Sequence, residues 1–305
     1  MKAVVMHQYG GPEVLSYEEF PEPAVQTGEV LVHVAAASVN PFDLKIRSGA
    51  LKDLWPLTFP AILGLDVSGT VEKVGAGLTG FAYGDKVFAH TLQGTYATHC
   101  IVKAQDLAKV PEELDLIDAA ALPTVTTTGA QLAALAVRQG AGETVLVTGA
   151  AGNVGRSAIC VAKEKGATVI AAVLRRQIDK ALATGADQVV ALDDENAIES
   201  LELVDSVADT INGPFADKLI AKIKPGGIFV SVLGAPAAAA AYPQVQVKTM
   251  QVKTDPMTQL RMAYAVVEHR LAIPLGERFE LKDAAKAHAA AEKGARGKLL
   301  LVASR

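Results

Sequence analysis

Residues 149–155 read Gly-Ala-Ala-Gly-Asn-Val-Gly and directly follow the apolar run TVLVT, Thr144–Thr148. Glycine first in such a segment permits a tight turn, glycine second lets the backbone approach a pyrophosphate, and glycine third lets a helix pack closely on the strand. Unpaired N–H groups at the start of that helix then face the phosphates. The spacing is Gly-x-x-Gly-x-x-Gly where the common fingerprint is Gly-x-Gly-x-x-Gly, with Ala150 or Ala151 filling the departure. In a strand–turn–helix context the segment predicts a dinucleotide site formed by Gly149, Ala151, Gly152, Asn153 and Val154; the alternative is a set of glycines that end the strand for structural reasons alone. At the end of the next apolar run, TVIAAVL (Thr168–Leu174), an NAD site carries an acid about twenty residues past the glycines to bind the adenosine ribose. Here stand Arg175 and Arg176, and the nearest acid, Asp179, falls in the following helix. Guanidinium groups at this point suit a 2′-phosphate, which predicts NADP(H) rather than NAD; the alternative is a solvated arginine pair at a helix start.

Such a turn needs a scaffold of alternating strands and helices, and the sequence after Pro123 has that rhythm. Val154, Ala158, Ile159 and Ala162 fall on one face of a helix predicted from about Val154 to Lys165. Thr168–Leu174 is a second strand, and QIDKALATG is a helix that Gly185 stops. Gln188–Leu192, Ala208–Asn212 and Gly227–Leu233 are further strands with helices between them. Repeated β-α-β units with nearly all-apolar strands imply a parallel sheet covered on both faces, a doubly wound nucleotide-binding architecture. Leu233 and Gly234 then lie at the carboxyl edge of the sheet, where dinucleotides bind.

The first 120 or so residues differ. EVLVHV (Glu29–Val34) and VSGTVEKV (Val67–Val74) are β-rich, and closely spaced glycines and prolines punctuate them. That pattern predicts an irregular, mostly antiparallel β domain. The last segment holds a helix and the strand KLLLVA, which can extend the α/β domain or return to the first one; the pattern leaves both open. A length of 305 residues favours two domains. With 50% hydrophobic and 20% charged residues there is ample material for a core, and a net charge of −4 makes a nucleic-acid partner an unfavourable reading. Cys100 and Cys160 cannot build a disulfide framework or a four-thiolate zinc site. The most apolar stretch, Leu233–Tyr242, is interrupted by Gly234 and Pro236, so no membrane span is expected and a cytoplasmic protein is predicted.

Several segments match one family in order along the chain. Gly11-Pro12-Glu13-Val14-Leu15, Gly28-Glu29-Val30-Leu31-Val32, Val74-Gly75-x-Gly77 and Phe81-x-x-Gly84-Asp85-Lys86-Val87 resemble the medium-chain dehydrogenase/reductase superfamily. The glycine turn, Leu122-Pro123-Thr124 and Arg296-Gly297-Lys298-Leu299 resemble its zinc-independent quinone oxidoreductase branch, the zeta-crystallin group. The resemblance implies a GroES-like catalytic domain over 1–122 and 268–305, a Rossmann NADP-binding domain over 123–267, and an active site in the cleft between them. It also implies a dimer or tetramer joined through the Rossmann domain, with a homodimer expected, for which the strand-like segment Tyr242–Val252 is the candidate edge; an internal strand is the alternative. It places Thr124 and Thr127 near the cofactor's phosphate and nicotinamide, although a threonine run also caps helices, and it places Lys298 near the cofactor unless solvated.

Zinc-dependent members carry a Cys-His pair where this chain has Asn40-Pro41, and Gly-His-Glu-x-x-Gly where it has Gly64-Leu65-Asp66-Val67-Ser68-Gly69. No catalytic zinc is therefore expected, and Asp66 is expected to order its loop. His99 and Cys100, adjacent on a strand, point to opposite faces and are poor ligands. Alcohol oxidation becomes unfavourable without a Lewis acid, whereas hydride addition to a quinone, enone or alkenal is natural. By resemblance Asn40 lies near the nicotinamide ring. Lys45 stands where many quinone reductases carry tyrosine, and its ammonium could stabilise an oxyanion and deliver a proton; otherwise it is a solvated lysine and Asp43 caps a turn. The expected function is an NADPH-dependent reductase that transfers hydride to a quinone or a conjugated carbonyl such as an enone or alkenal. The alternatives are an enoyl-thioester reductase and a weakly catalytic NADPH-binding sensor or structural protein.

Overall fold

The computed structural model of the chain describes residues 1–92, 94–139 and 141–303. In chain order its strands are β1 (Lys2–Met6), β2 (Ser16–Glu19), β3 (Glu29–Ser38), β4 (Ala61–Ile62), β5 (Asp66–Val74), β6 (Lys86–His90), β7 (His99–Lys103), β8 (Leu107–Lys109), β9 (Thr144–Thr148), β10 (Thr168–Val173), β11 (Gln188–Ala191), β12 (Val204–Asp209), β13 (Ile223–Ser231), β14 (Gln246–Thr249), β15 (Leu275–Glu280) and β16 (Lys298–Val302). The helices are α1 (Pro41–Arg47), α2 (Leu116–Ala119), α3 (Pro123–Ala136), α4 (Asn153–Glu164), α5 (Ile178–Leu182), α6 (Glu195–Glu199), α7 (Gly213–Leu219), α8 (Pro256–Val267) and α9 (Ala284–Glu292). The chain divides into two compact units. One comprises Met1–Thr124, Thr254–Val267 and the segment from Ile273 onward; the other comprises Val125–Lys253 and Glu268–Ala272.

The first unit is built on a sheet of order β15-β16-β3-β5-β6-β8, with β7 also pairing β3, beside the small sheet β2-β1-β4. Alternation along β3 and β5 sends Val30, Val32, Val34, Val67 and Val71 into one apolar cluster with Val87 and Val102. Between β3 and β5 the register shifts near Val34, where Gly69 sits so close that a Cβ would lie 2.1 Å from the His33 carbonyl oxygen. Glycine is required there for the two backbones to approach, and the local bend re-aims the strand ends. The C-terminal strand returns to this unit: β16 pairs antiparallel with β3, Leu300 opposite Ser38. A second cluster, including Val39, Ile46, Tyr96, Ala284, Ala287 and Leu301, buries α1 and α9 against the sheets.

The second unit is a six-stranded sheet of order β11-β10-β9-β12-β13-β14, parallel throughout. That is the doubly wound order, reversing between β9 and β12. Two strands end earlier than the sequence pattern predicts. The run Ala208–Asn212 leaves the sheet after Asp209, whose carboxylate accepts the N–H groups of Ile211 and Asn212 and turns the chain. The run Gly227–Leu233 leaves after Ser231, whose hydroxyl takes the Leu233 N–H. The segment Thr254–Val267, expected with the nucleotide-binding domain, packs in the first unit, where α8 lies against β8.

Candidate functional site

In the first unit, the carboxylate of Asp66, at the start of β5, is fully buried and collects donors from four parts of the chain. Oδ2 accepts from the Ser38 hydroxyl at 2.6 Å and the Asn40 side-chain amide at 2.9 Å. Oδ1 accepts from the Thr124 hydroxyl at 2.6 Å and the Thr124 N–H at 2.8 Å, which satisfies a free donor of the first turn of α3. Because the Thr124 proton goes to Asp66, the 2.9 Å contact between His90 Nδ1 and Thr124 Oγ1 requires the imidazole proton on Nδ1. Lys298, at the start of β16, donates its ammonium to Asn40 Oδ1 and stands 3.7 Å from Asp66 Oδ2. Burial alone raises the Asp66 carboxyl; hydrogen bonding from His90, the Lys298 charge and Ser38 outweigh it and hold the group far below the ordinary carboxylate range. The Lys298 ammonium is pushed down by burial and supported by Asp66 and Asp43.

One turn away a second buried chain begins. Asn40 precedes α1 and Pro41 opens it, while Asp43 Oδ2 accepts the Asn40 N–H at 2.8 Å. Tyr96 donates to the same oxygen at 3.1 Å. His288 Nε2 lies 3.1 Å from the Tyr96 oxygen, and its Nδ1 lies 3.2 Å from Arg47 Nη1. Arginine can only donate, so the neutral imidazole carries its proton on Nε2 and every bond in the series points toward Asp43. Arg47 ends the series in an ion pair with Glu292 on α9. Burial and the nearby Asp66 charge push Asp43 up to about 7 against the donors it accepts. Burial and the Arg47 charge push His288 down to about 3. Asp43, Phe42, Leu63 and Trp55 are among the residues around a water-sized cavity of about 10 Å³.

In the second unit the glycine segment is a tight turn between β9 and α4. Gly149 has φ +59 and accepts the Gly152 N–H at 2.9 Å, which accounts for the Gly-x-x-Gly spacing, while the methyl of Ala150 is buried. At Gly155 a Cβ would lie 2.4 Å from the Gly149 carbonyl oxygen, so only glycine lets α4 sit this close to the strand. Gly152 caps α4 without a side-chain bond, and no acid stands in the helix's first turn, so its leading N–H groups are unopposed. Asn153 and Val154, the first two helical residues, are half-buried, as is Ala151. Thr127 lies on α3, fully buried, with its hydroxyl unpartnered. Gly129 on the same helix packs against the Val154 carbonyl.

At the carboxyl edge of this sheet, Asn212 donates to the Leu233 carbonyl at 3.2 Å and Gly234 follows with φ +117. Past β10, Arg175 is ion-paired with Asp194 at 2.6 Å, and Arg176 is exposed beside it. Of the residues singled out in the sequence, Asn40, Thr124 and Lys298 converge on Asp66. Gly149 to Val154 form one turn. Lys45 is exposed on α1, away from the buried bonds of its own helix. Lys298 is 5% exposed, which removes the solvated alternative. Tyr96, His288, Arg47 and His90 were not anticipated. The available signals were a histidine on the Ala284/Ala287 face of α9 and an arginine on the Ile46 side of α1.

Two family models match the chain: the alcohol dehydrogenase GroES-like domain over residues 26–112 and the zinc-binding dehydrogenase over residues 184–301. The chain is 35% identical over 204 residues to the chloroplastic quinone-oxidoreductase homolog of Spinacia oleracea, covering 62% of each chain. It is 33% identical over 247 residues to the chloroplastic NADPH-dependent alkenal/one oxidoreductase of Arabidopsis thaliana, covering 77% of this chain and 63% of that one. The chain thus spans a little over three-fifths of the length of these curated relatives. The solved structure of the quinone oxidoreductase from Coxiella burnetii superposes with a TM-score of 0.89 at 30% identity, covering 100% of this chain and 99% of that one. A GroES-like β unit with a doubly wound parallel-sheet unit is the architecture of the medium-chain dehydrogenases/reductases. The chain belongs to that superfamily, in its quinone oxidoreductase branch.

The second family description implies zinc, and the residues here do not fit it. At Asn40 and Asp66 the oxygen that would face a cation already holds the Lys298 ammonium, and the remaining neighbours are hydroxyl and amide donors aimed at the carboxylate and the His90 imidazole, whose Nδ1 proton is committed to Thr124. Among the described residues no group of three or more His, Cys, Asp and Glu side chains is arranged to hold a metal ion. Cys100 has its thiol pushed up to about 12 by burial, far from the thiolate a metal needs.

Proposed function

We propose that this protein is a zinc-independent, NADPH-dependent reductase that transfers hydride to a quinone or a conjugated carbonyl such as an enone or alkenal. The observation that carries this reading is the Asn40–Asp66–Lys298 cluster. A buried ammonium fills the place of a cation there, so the acceptor must bring its own electrophilic activation. The relatives named for quinone and alkenal/one reduction support the same acceptor class. When bound, NADPH supplies the hydride. For a quinone the sum is NADPH + H⁺ + quinone giving NADP⁺ + hydroquinone.

The chain's own groups then have distinct tasks. Gly149, Ala151, Gly152, Asn153 and Val154 offer backbone N–H groups to the pyrophosphate, and Arg175 and Arg176 face the 2′-phosphate. Leu233 and Gly234 edge the cofactor's path, and the Thr127 hydroxyl on α3 is free to face it, whereas Thr124 spends both donors on Asp66 and acts through that carboxylate. Asn40, its amide locked by Asp66 and Lys298, is a fixed wall of the acceptor pocket. Exposed Lys45 stabilises the developing oxyanion and returns a proton. The chain works as a cytoplasmic homodimer joined at β14, the edge of the parallel sheet, where three of four residues are exposed. No described helix is long and apolar enough to cross a membrane.

The test is NADPH oxidation against benzoquinones, naphthoquinones, enones, alkenals and an acyl thioester, run with the wild type and Lys45→Ala. Turnover with quinones or conjugated carbonyls is expected, lowered about tenfold or more by Lys45→Ala at unchanged NADPH affinity. Turnover confined to the thioester, or NADPH bound but consumed by no acceptor, refutes the reading. Equal turnover of the two proteins removes Lys45 from it.

A further inference from the structure

Three cations are buried among the described residues: Arg47, Lys298 and Arg156. Arg47 is paired with Glu292, and Lys298 with Asp66. Among the described residues Arg156 has no carboxylate partner. It sits one turn into α4, 8% exposed, and spends its donors on two backbone carbonyls: Nε on Ala151 at 3.0 Å and Nη2 on Lys180 at 3.2 Å. A buried charge without a counter-ion is costly, and neutral carbonyls offset only part of that cost. Burial pushes this guanidinium's pKa down with nothing opposing it.

The positions of those two carbonyls give the charge a meaning. Ala151 lies inside the glycine turn, and Lys180 lies on α5, the helix that follows Arg175 and Arg176. The first turn of α4, which Arg156 adjoins, has neither an acid nor a side-chain cap. The helix start and the guanidinium therefore add positive potential in one place with no anion to balance it.

We propose that Arg156 is a positioning residue of the cofactor site: it ties the glycine turn to α5, and its charge is balanced by the pyrophosphate of a bound dinucleotide. This rests on the reading that the turn binds a dinucleotide, and it adds a residue that the turn motif and the arginine pair do not contain. The pyrophosphate is common to NADPH and NADH, so Arg156 acts on both cofactors alike, whereas Arg175 and Arg176 act on the 2′-phosphate of one.

The experiment measures dissociation constants of NADPH and NADH by titration calorimetry at two ionic strengths for the wild type, Arg156→Gln and Arg156→Lys. Arg156→Gln is expected to weaken both cofactors by the same factor, about tenfold, and to flatten the salt dependence; Arg156→Lys, which keeps the charge, stays within about threefold of wild type. Unchanged binding of both cofactors by Arg156→Gln overturns the proposal, as does a loss confined to NADPH. If Arg156→Gln does not fold, Arg156→Lys decides, its near-wild-type affinity and salt slope supporting the role and a tenfold loss overturning it. A wild type that binds neither cofactor refutes the dinucleotide reading itself, before any variant is compared.

Discussion

Arg175 and Arg176 are neighbours in the sequence but not equals in the fold. The Arg175 guanidinium already has Asp194 at 2.6 Å, and its N–H is held by Asp193 at 2.7 Å, whereas Arg176 is exposed beside it. An exposed pair of this kind is worth at most about 1 kcal/mol, yet a phosphate approaching Arg175 must still compete with a carboxylate. Arg176→Ala should therefore raise the NADPH dissociation constant about tenfold while leaving NADH nearly unchanged, and Arg175→Ala should do less. Fluorescence titration of both cofactors checks this, and equal losses for NADPH and NADH would remove the phosphate role. At this scale the sequence was informative where chemistry is local. The tight bend of the glycine turn and the close packing of α4 on β9 follow from glycines within one seven-residue run. Asp66 was legible only as a loop residue, because its partners Ser38, Asn40, Thr124 and Lys298 are gathered by strand pairing, and the Asn40–Lys298 contact spans 258 positions.

Among the elements, α4 and β9 show how closely a motif can bind a helix to a strand. At Gly155 an added methyl meets backbone atoms at 2.4 and 2.7 Å, which cannot move without shifting the turn, whereas at Gly152 the nearest atom is 3.2 Å away. Gly155→Ala is expected to cost about 3 kcal/mol in urea unfolding and to abolish cofactor binding, with Gly152→Ala retaining the fold. A Gly155→Ala protein with a wild-type midpoint and affinity would contradict the packing argument. Nearly all-apolar strands in a β-α-β rhythm made the parallel sheet legible, because burial on both faces is written in continuous apolar runs. The strand ends were less legible. Asp209 and Ser231 terminate β12 and β13 with their own side-chain bonds, and apolar residues continue past both.

For the molecule as a whole, two buried groups set opposing responses to acid. Asp43, with a folded pKa of about 7 against an ordinary 3.8, keeps a proton that the unfolded chain releases, so its contribution shrinks as pH rises from about 4 to 7. His288, pushed from 6.5 to about 3, stays neutral where the unfolded chain takes up a proton, so its contribution is lost as pH falls below 6.5. Between about pH 4 and 6.5 the two slopes, each up to about 1.4 kcal/mol per pH unit, run against each other. Asp43→Asn removes one of them. Its Tm should fall more steeply than that of the wild type on acidification from pH 6.5 to 4.5, and parallel profiles in differential scanning calorimetry would show that Asp43 does not titrate in this way.

The return of β16 to β3 also fixes an order of assembly during synthesis. The main run of the second unit, Val125–Lys253, leaves the ribosome while the Ala36–Ser38 end of β3, beyond the stretch that β7 covers, still lacks its neighbour and Asp66 still lacks Lys298. The nucleotide-binding sheet can close first, and the unit begun earliest is finished last. Until then the young chain carries an unpaired stretch of strand edge and uncovered apolar surface, the features that make incomplete folds prone to aggregation.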